Sequence, residues 1–544
     1  MRISGPIGAG NYHIMGRNGP LTRPEKDLSK LILVLQLLVL ATVGLAQESA
    51  PNRTVNSTPE QKRVGVLLDR VSSLPPEYKA DLGFTILDGA APSLTPAQQR
   101  SLLDDIFHSA ARSHYPYGLT EASAEVHSGL VASLIGNSKL DSLEIQSRTI
   151  VRALSVTPRF AGQLFEELKL KEDRASCADA NVEDVSPFYL AAGKIIEDKR
   201  ITTVFGEDKE SYLSSLVATM KIPAEIAPLA ELIASASLTA DQLGQIEGAF
   251  DSALNKITAS DREMTAAEED GNLTHTIGLL SSKFAQSGVY SGRLLAAYRN
   301  FLVRNLTPEG CSDHSLDRAG IARSFNALIP SSLATSPDLA LLSAAQLQPQ
   351  SRGASAAKPV VPSNASILAK LYRIAAAQAE ASTEVYRNGQ PSTVIPDSSD
   401  VGDVIKYAMS SQSAADDQCP VCGFAAKGAL LNVLVQLPPP GSDLEKAVYA
   451  DVDYLSQNDM QKDNPVAWLH LFKELINASR KMNDQTKNAL IARAKKGTLM
   501  PLDIPSEAAS EIHEILRGSP DPIISTYMLA DELLHLPYEV DRPY

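Results

Sequence analysis

The sequence predicts an all-α protein, a multi-helix array of helical hairpins divided into two helical domains. Three observations carry that expectation. Apolar residues recur at helical spacing along most of the chain, helix-start signals precede many of those stripes, and the alternation of a half-buried strand is almost missing. An irregular α-solenoid is one arrangement such hairpins could take.

The first apolar run is of another kind. Arg17, Arg23, Lys26 and Lys30 precede Leu31 to Leu45, and Gly44-Leu45-Ala46 then places small residues before Gln47. Positive, apolar and small residues in that order read as a secretory signal peptide over residues 1–46, cleaved between Ala46 and Gln47. The run of about fifteen residues falls short of the ~20 that a spanning helix needs. Residues 47–60 are polar with two prolines and read as a flexible tether.

Beyond the tether, Val64, Leu67, Leu68 and Val71 mark one helical stripe. Thr95, Pro96 and Gln98 form a capping-box start before Leu102, Leu103, Ile106 and Phe107. Thr157-Pro158 opens a helix in the same way, and Thr239 to Gln242 repeats the capping box. The best strand candidate is short, Ile201 to Phe205. Residues 341–365 are rich in Ala, Pro, Gln and Ser and predict a linker between domains at 61–340 and 366–544. Two internal echoes stand out: Thr95 and Thr239 start similar helices, and Cys177-Ala-Asp recurs as Cys311-Ser-Asp. Their offsets differ by ten residues, and no TPR, ankyrin or HEAT consensus accompanies them.

The chain has 544 residues and a net charge of −14, which argues against non-specific binding to nucleic acid. Loss of residues 1–46 removes five basic and two acidic groups, leaving −17. No later segment is apolar enough to span a bilayer, so stable membrane insertion is not expected after cleavage.

The four cysteines carry the sharpest local chemistry. Cys419-Pro-Val-Cys422 stands at the start of an expected helix, where dipole and amides favour a thiolate. Asp416 and Asp417 oppose that, and no βαβ pattern surrounds the motif. A local Cys419–Cys422 disulfide is the preferred reading, with Cys177–Cys311 as the second bridge; a redox pair is the alternative. Metal-site patterns fall short. Glu532 and His535 give one Glu-x-x-His where a di-iron bundle uses two, and His513-Glu514 lacks the second His of a zinc protease helix. Asp104 and His108 read as a surface hydrogen bond. Asp451, Asp453, Asp459 and Asp463 lack the Gly and Glu of a calcium loop and read as a solvated helix face. Six N-x-S/T sequons, at Asn52, Asn56, Asn272, Asn305, Asn364 and Asn477, matter only in a glycosylating host. Catalytic residues, metals and cofactors are therefore not expected.

The segments SSLPPEYKAD at Ser72–Asp81 and CADANVEDVSPFY at Cys177–Tyr189 resemble uncharacterised exported helical proteins of acidobacterial soil bacteria. That resemblance implies bacterial export to the periplasm or outside and a helical fold, and carries no activity. The expected function is binding or scaffolding of a protein or peptide. A thiol–disulfide oxidoreductase and a carrier of an apolar small ligand are the alternatives.

Overall fold

The capping signals determine where helices begin. In the computed structural model, Thr95 accepts from the Gln98 amide while the Gln98 side chain accepts from the Thr95 amide, a closed capping box. Thr157 caps in the same sense, and Thr239 with Gln242 completes a second box. The structure describes residues 59–116, 118–121, 138–170, 175, 181–201, 203–204, 207–268, 272–306, 317–330, 339–347, 424, 427–428, 431, 442–457, 464–495 and 506–534. All belong to one compact unit, Pro59–Tyr544. The signal with Ala46 and Gln47, most of the tether, the linker beyond residue 347 and all four cysteines lie outside them.

Among the described residues the fold is all-α. Its helices are α1 Pro59–Ser72, α2 Pro76–Gly89, α3 Pro96–Ala110, α4 Ser142–Val156, α5 Pro158–Glu167, α6 Ser186–Glu197, α7 Lys209–Thr219, α8 Ile226–Ser235 and α9 Ala240–Leu254. There follow α10 Asp261–Glu268, α11 Asn272–Gln286, α12 Gly292–Leu306, α13 Arg318–Leu328, α14 Ser442–Gln457, α15 Pro465–Lys495, α16 Ser506–Arg517 and α17 Pro522–Leu534.

Packing order reveals a regularity. Helices α3, α4, α6, α8, α11 and α13 each pack against the next, forming one row, while α7, α9 and α12 stack as a second row. The first-row helices start at residues 96, 142, 186, 226, 272 and 318, a step of 40 to 46 residues. Helix-pair repeats of this length are stacked arrays in which each unit buries its apolar face on its neighbours. The two echoes in the sequence resolve on this frame. Thr95 and Thr239 start helices of different rows, so their offset is not a whole number of repeats. Cys177 and Cys311 precede α6 and α13, which stand three first-row steps apart.

Among the described residues strands are few, and one of the two ribbons lies where alternation pointed. Gly118–Glu121 (β1) pairs antiparallel with Asn181–Asp184 (β2) in the register Leu119 opposite Glu183. Thr203–Val204 (β3) pairs with Glu207–Asp208 (β4), two residues to a strand, within and just after the expected Ile201–Phe205 segment.

The chain's last described helices return to its first. α17 packs on α1 and α2, α15 packs on α2, and α14 and α16 pack on α15. The helical blocks expected on either side of the linker therefore meet across a packed interface inside one compact unit. Its centre is aromatic. Trp468, fully buried, lies edge-on to Tyr78 at 5.7 Å and stacks on Phe472 at 5.1 Å, and Phe472 meets Tyr527 at 5.5 Å. Asp81 of α2 sits at the edge of this cluster. It accepts from Tyr527 Oη at 2.7 Å and pairs with Lys473. The terminal repeat of an array otherwise exposes an apolar flank; here the chain's own C-terminal helices cover it.

Candidate functional site

A cavity with charged side chains in its walls continues that interface outward. Helical spacing places Arg480 two turns beyond Lys473 on α15, and Asp531 one turn beyond Tyr527 on α17. Arg480 pairs with Asp531, so a second charged layer follows the Asp81 layer. α16 supplies a third wall with His513 and Arg517. Together Arg480, His513, Arg517, Met528, Asp531 and Glu532 line a pocket of about 380 Å³, at the lower end of the size range of small-ligand sites.

Its charges are arranged around two carboxylates. Asp531, 8% exposed, has His513 Nε2 at 3.5 Å from its second oxygen. Glu532 accepts from Arg517 Nη2 at 3.1 Å and, from α1, Arg63 Nη2 at 2.9 Å. The buried Met528 gives an apolar, deformable wall. Two guanidiniums, Arg480 and Arg517, thus line the pocket with two carboxylates, and Arg63 reaches Glu532 from α1.

A smaller cavity of about 180 Å³ lies by the β1–β2 ribbon, with Ser142, Gln146, Glu167, Lys169 and Glu183 in its walls. Carboxylates crowd there. Asp141 caps α4, accepting from the Glu144 amide at 2.9 Å, and burial pushes its carboxyl up to about 6. Burial and the neighbouring Asp141 push Glu144 up to about 7, against the pull of Arg148 and Lys139.

Of the sequence candidates, two come to the main pocket. His513 and Glu532 each belonged to an incomplete metal motif; both line its wall, while His535 lies outside the described residues. Among the described residues no group of three or more His, Cys, Asp or Glu is placed to hold a metal ion. Arg480 and Asp531 gave no sequence signal, because their pairing joins positions 51 residues apart. Asp104 and His108 do share a surface. His108 Nδ1 lies 2.8 Å from the Asp104 carbonyl and Nε2 lies 3.0 Å from Glu167. The Asp104 carbonyl, foremost, raises the His108 pKa.

The expected solvated face at Asp451 is corrected. Asp451 is 1% exposed and accepts from Lys427 Nζ, itself fully buried, at 2.8 Å. The Lys427 ammonium also sits over the Tyr454 ring, 5.0 Å from its centroid. Burial raises Asp451 to about 7 despite that cation. Nearby on α15, burial lowers His470 to about 4, which leaves a neutral imidazole. Asn305 is also unlike an accessible sequon. Its side chain accepts from the Ala259 amide at 2.7 Å and donates to the Phe301 carbonyl at 2.9 Å. It is 4% exposed, so the folded chain has no room for a glycan there.

No protein-family model matches the chain, and neither a curated protein nor a solved structure matches it. Among the described residues no helix is long and apolar enough to cross a membrane.

Proposed function

We propose that the chain is an exported bacterial binding protein, a stacked-helix scaffold that recognises a protein or peptide partner. The observation that carries this reading is the charged pocket at the junction of α15, α16 and α17. It pairs an apolar wall with several side chains able to fix a polar chain end, the composition of a recognition site. The stacked rows behind it supply the rigidity that positions such side chains. Export is read from residues 1–46, and sequencing the mature N-terminus is expected to begin at Gln47; a mature chain beginning at Met1 or Met15 would contradict export by cleavage.

Binding is tested with the purified 47–544 chain and a soluble randomised hexapeptide library. Peptides that co-elute with the protein in gel filtration are identified by mass spectrometry. A defined subset is expected to co-elute with the native protein and to be lost with Arg517→Glu. Co-elution no greater than with an unrelated acidic protein of similar size would contradict the reading.

A further inference from the structure

We infer that α15, α16 and α17 open from α1 and α2 as one body, and that Asp81 is the latch of this movement. The contacts are sorted in a way that permits it. Within the three helices, Arg480 pairs with Asp531, His513 Nε2 lies 3.5 Å from the second Asp531 oxygen, and Arg517 pairs with Glu532 at 3.1 Å. Trp468 stacks on Phe472 and Phe472 meets Tyr527, again within the three. These contacts join α15 and α16 to α17, and a separation from the first helices leaves them intact.

Contacts that cross to α2 gather at one carboxylate. Asp81 accepts from Tyr527 Oη of α17 at 2.7 Å and pairs with Lys473 of α15, so a single side chain ties down two of the three helices. One turn earlier on the same face of α2, Tyr78 meets Trp468 at 5.7 Å. Arg63 of α1 also crosses, reaching Glu532 at 2.9 Å, but both members of that pair stand in solvent, where such pairs hold little. Asp81 and Lys473 lie deeper, 13% and 19% exposed. A buried pair contributes little net stability while both members are present, because separation returns both charges to water; loss of one member strands the other and makes the closed state costly. The pair therefore fixes the register of the seam without making it expensive to part. The opening is sub-global, below the cost of unfolding the whole chain, and the pocket walls of α15, α16 and α17 move together.

Tetranitromethane, which nitrates tyrosines that reach solvent as phenolates, tests this on the intact 47–544 chain. Tyr78 lies in the seam and Tyr298 in α12 of the array, and both are fully buried. Peptide mass spectrometry gives the two nitration rates from one sample. In the parent protein Tyr78 is expected to react at least tenfold faster than Tyr298. Asp81→Asn is expected to widen that ratio at least tenfold further while the Tyr298 rate stays unchanged. Lys473→Gln, which removes the pair from the other side, is expected to move the ratio in the same direction. Equal rates in the parent mean that the seam opens only with the whole fold, and overturn the inference. Equal acceleration of both tyrosines in the variants means that Asp81 supports the fold in general, and an unchanged Tyr78 rate means that it latches nothing; either result overturns the inference as well.

Discussion

Lys427 and Asp451 show how much a single residue's meaning depends on a distant partner. A buried ion pair contributes little net stability, but removing one member leaves the other charge desolvated and alone. Lys427→Met is expected to cost about 3 kcal/mol in chemical denaturation, and the double replacement Lys427→Met/Asp451→Leu to recover most of it. A single variant as stable as the parent would contradict the burial of the pair. Asp141 and Glu144 give another electrostatic case, carboxylates raised by burial, Glu144 despite the pull of Arg148 and Lys139. The folded chain holds their protons more tightly than the unfolded one. Their contribution is therefore full below pH ~4 and is lost as pH rises through their folded values of about 6 and 7. Asp141→Asn/Glu144→Gln should gain stability on the order of 6 kcal/mol over the parent at pH 8 relative to pH 4. A difference between the two proteins that is flat across this range would count against the buried cluster. None of this was legible from composition. The run around Asp451 looks like solvated charge because its partner lies 24 residues earlier.

At the scale of elements the sequence was most informative where the physics is local. Helix caps need only four consecutive residues, so Thr95, Thr157 and Thr239 marked helix starts that the structure bears out. Thr239→Ala is expected to lower stability by about 1 kcal/mol, measured by urea denaturation. The β1–β2 ribbon escaped because four-residue strands carry too little alternation to register, and their pairing spans some sixty residues. The repeat escaped because spacing between first-row helices varies from 40 to 46 residues, which blurs self-similarity. Its one visible trace was the Cys-x-Asp echo. The flanks of those two cysteines converge on α10. The Ala175 carbonyl accepts from Ser260 Oγ at 2.6 Å, and Arg318 pairs with Asp261 at 2.7 Å. Peptide mapping without reductant is accordingly expected to recover a Cys177–Cys311 crosslink. Recovery of either cysteine joined to Cys419 or Cys422 would contradict the pairing.

On the scale of the whole molecule, the described residues on either side of the expected linker at 341–365 belong to one compact unit. Among the described residues the C-terminal helices pack on one another and also lie on α1 and α2 at the start of the array. One ion pair depends on that closure, because Arg63 reaches Glu532 only when α1 and α17 lie side by side. Sequence could place the helices and could not place this return, since an amphipathic stripe does not name the stripe it will meet. Trp468, the only tryptophan in the chain, sits at the centre of the closure against Tyr78. Its fluorescence in the native Tyr78→Ala variant reads the contact directly. Emission is expected to shift to longer wavelength, and the urea midpoint followed at Trp468 to fall together with that of the far-ultraviolet circular dichroism. An unchanged emission maximum with an unchanged midpoint would mean that the C-terminal helices do not close on the first ones.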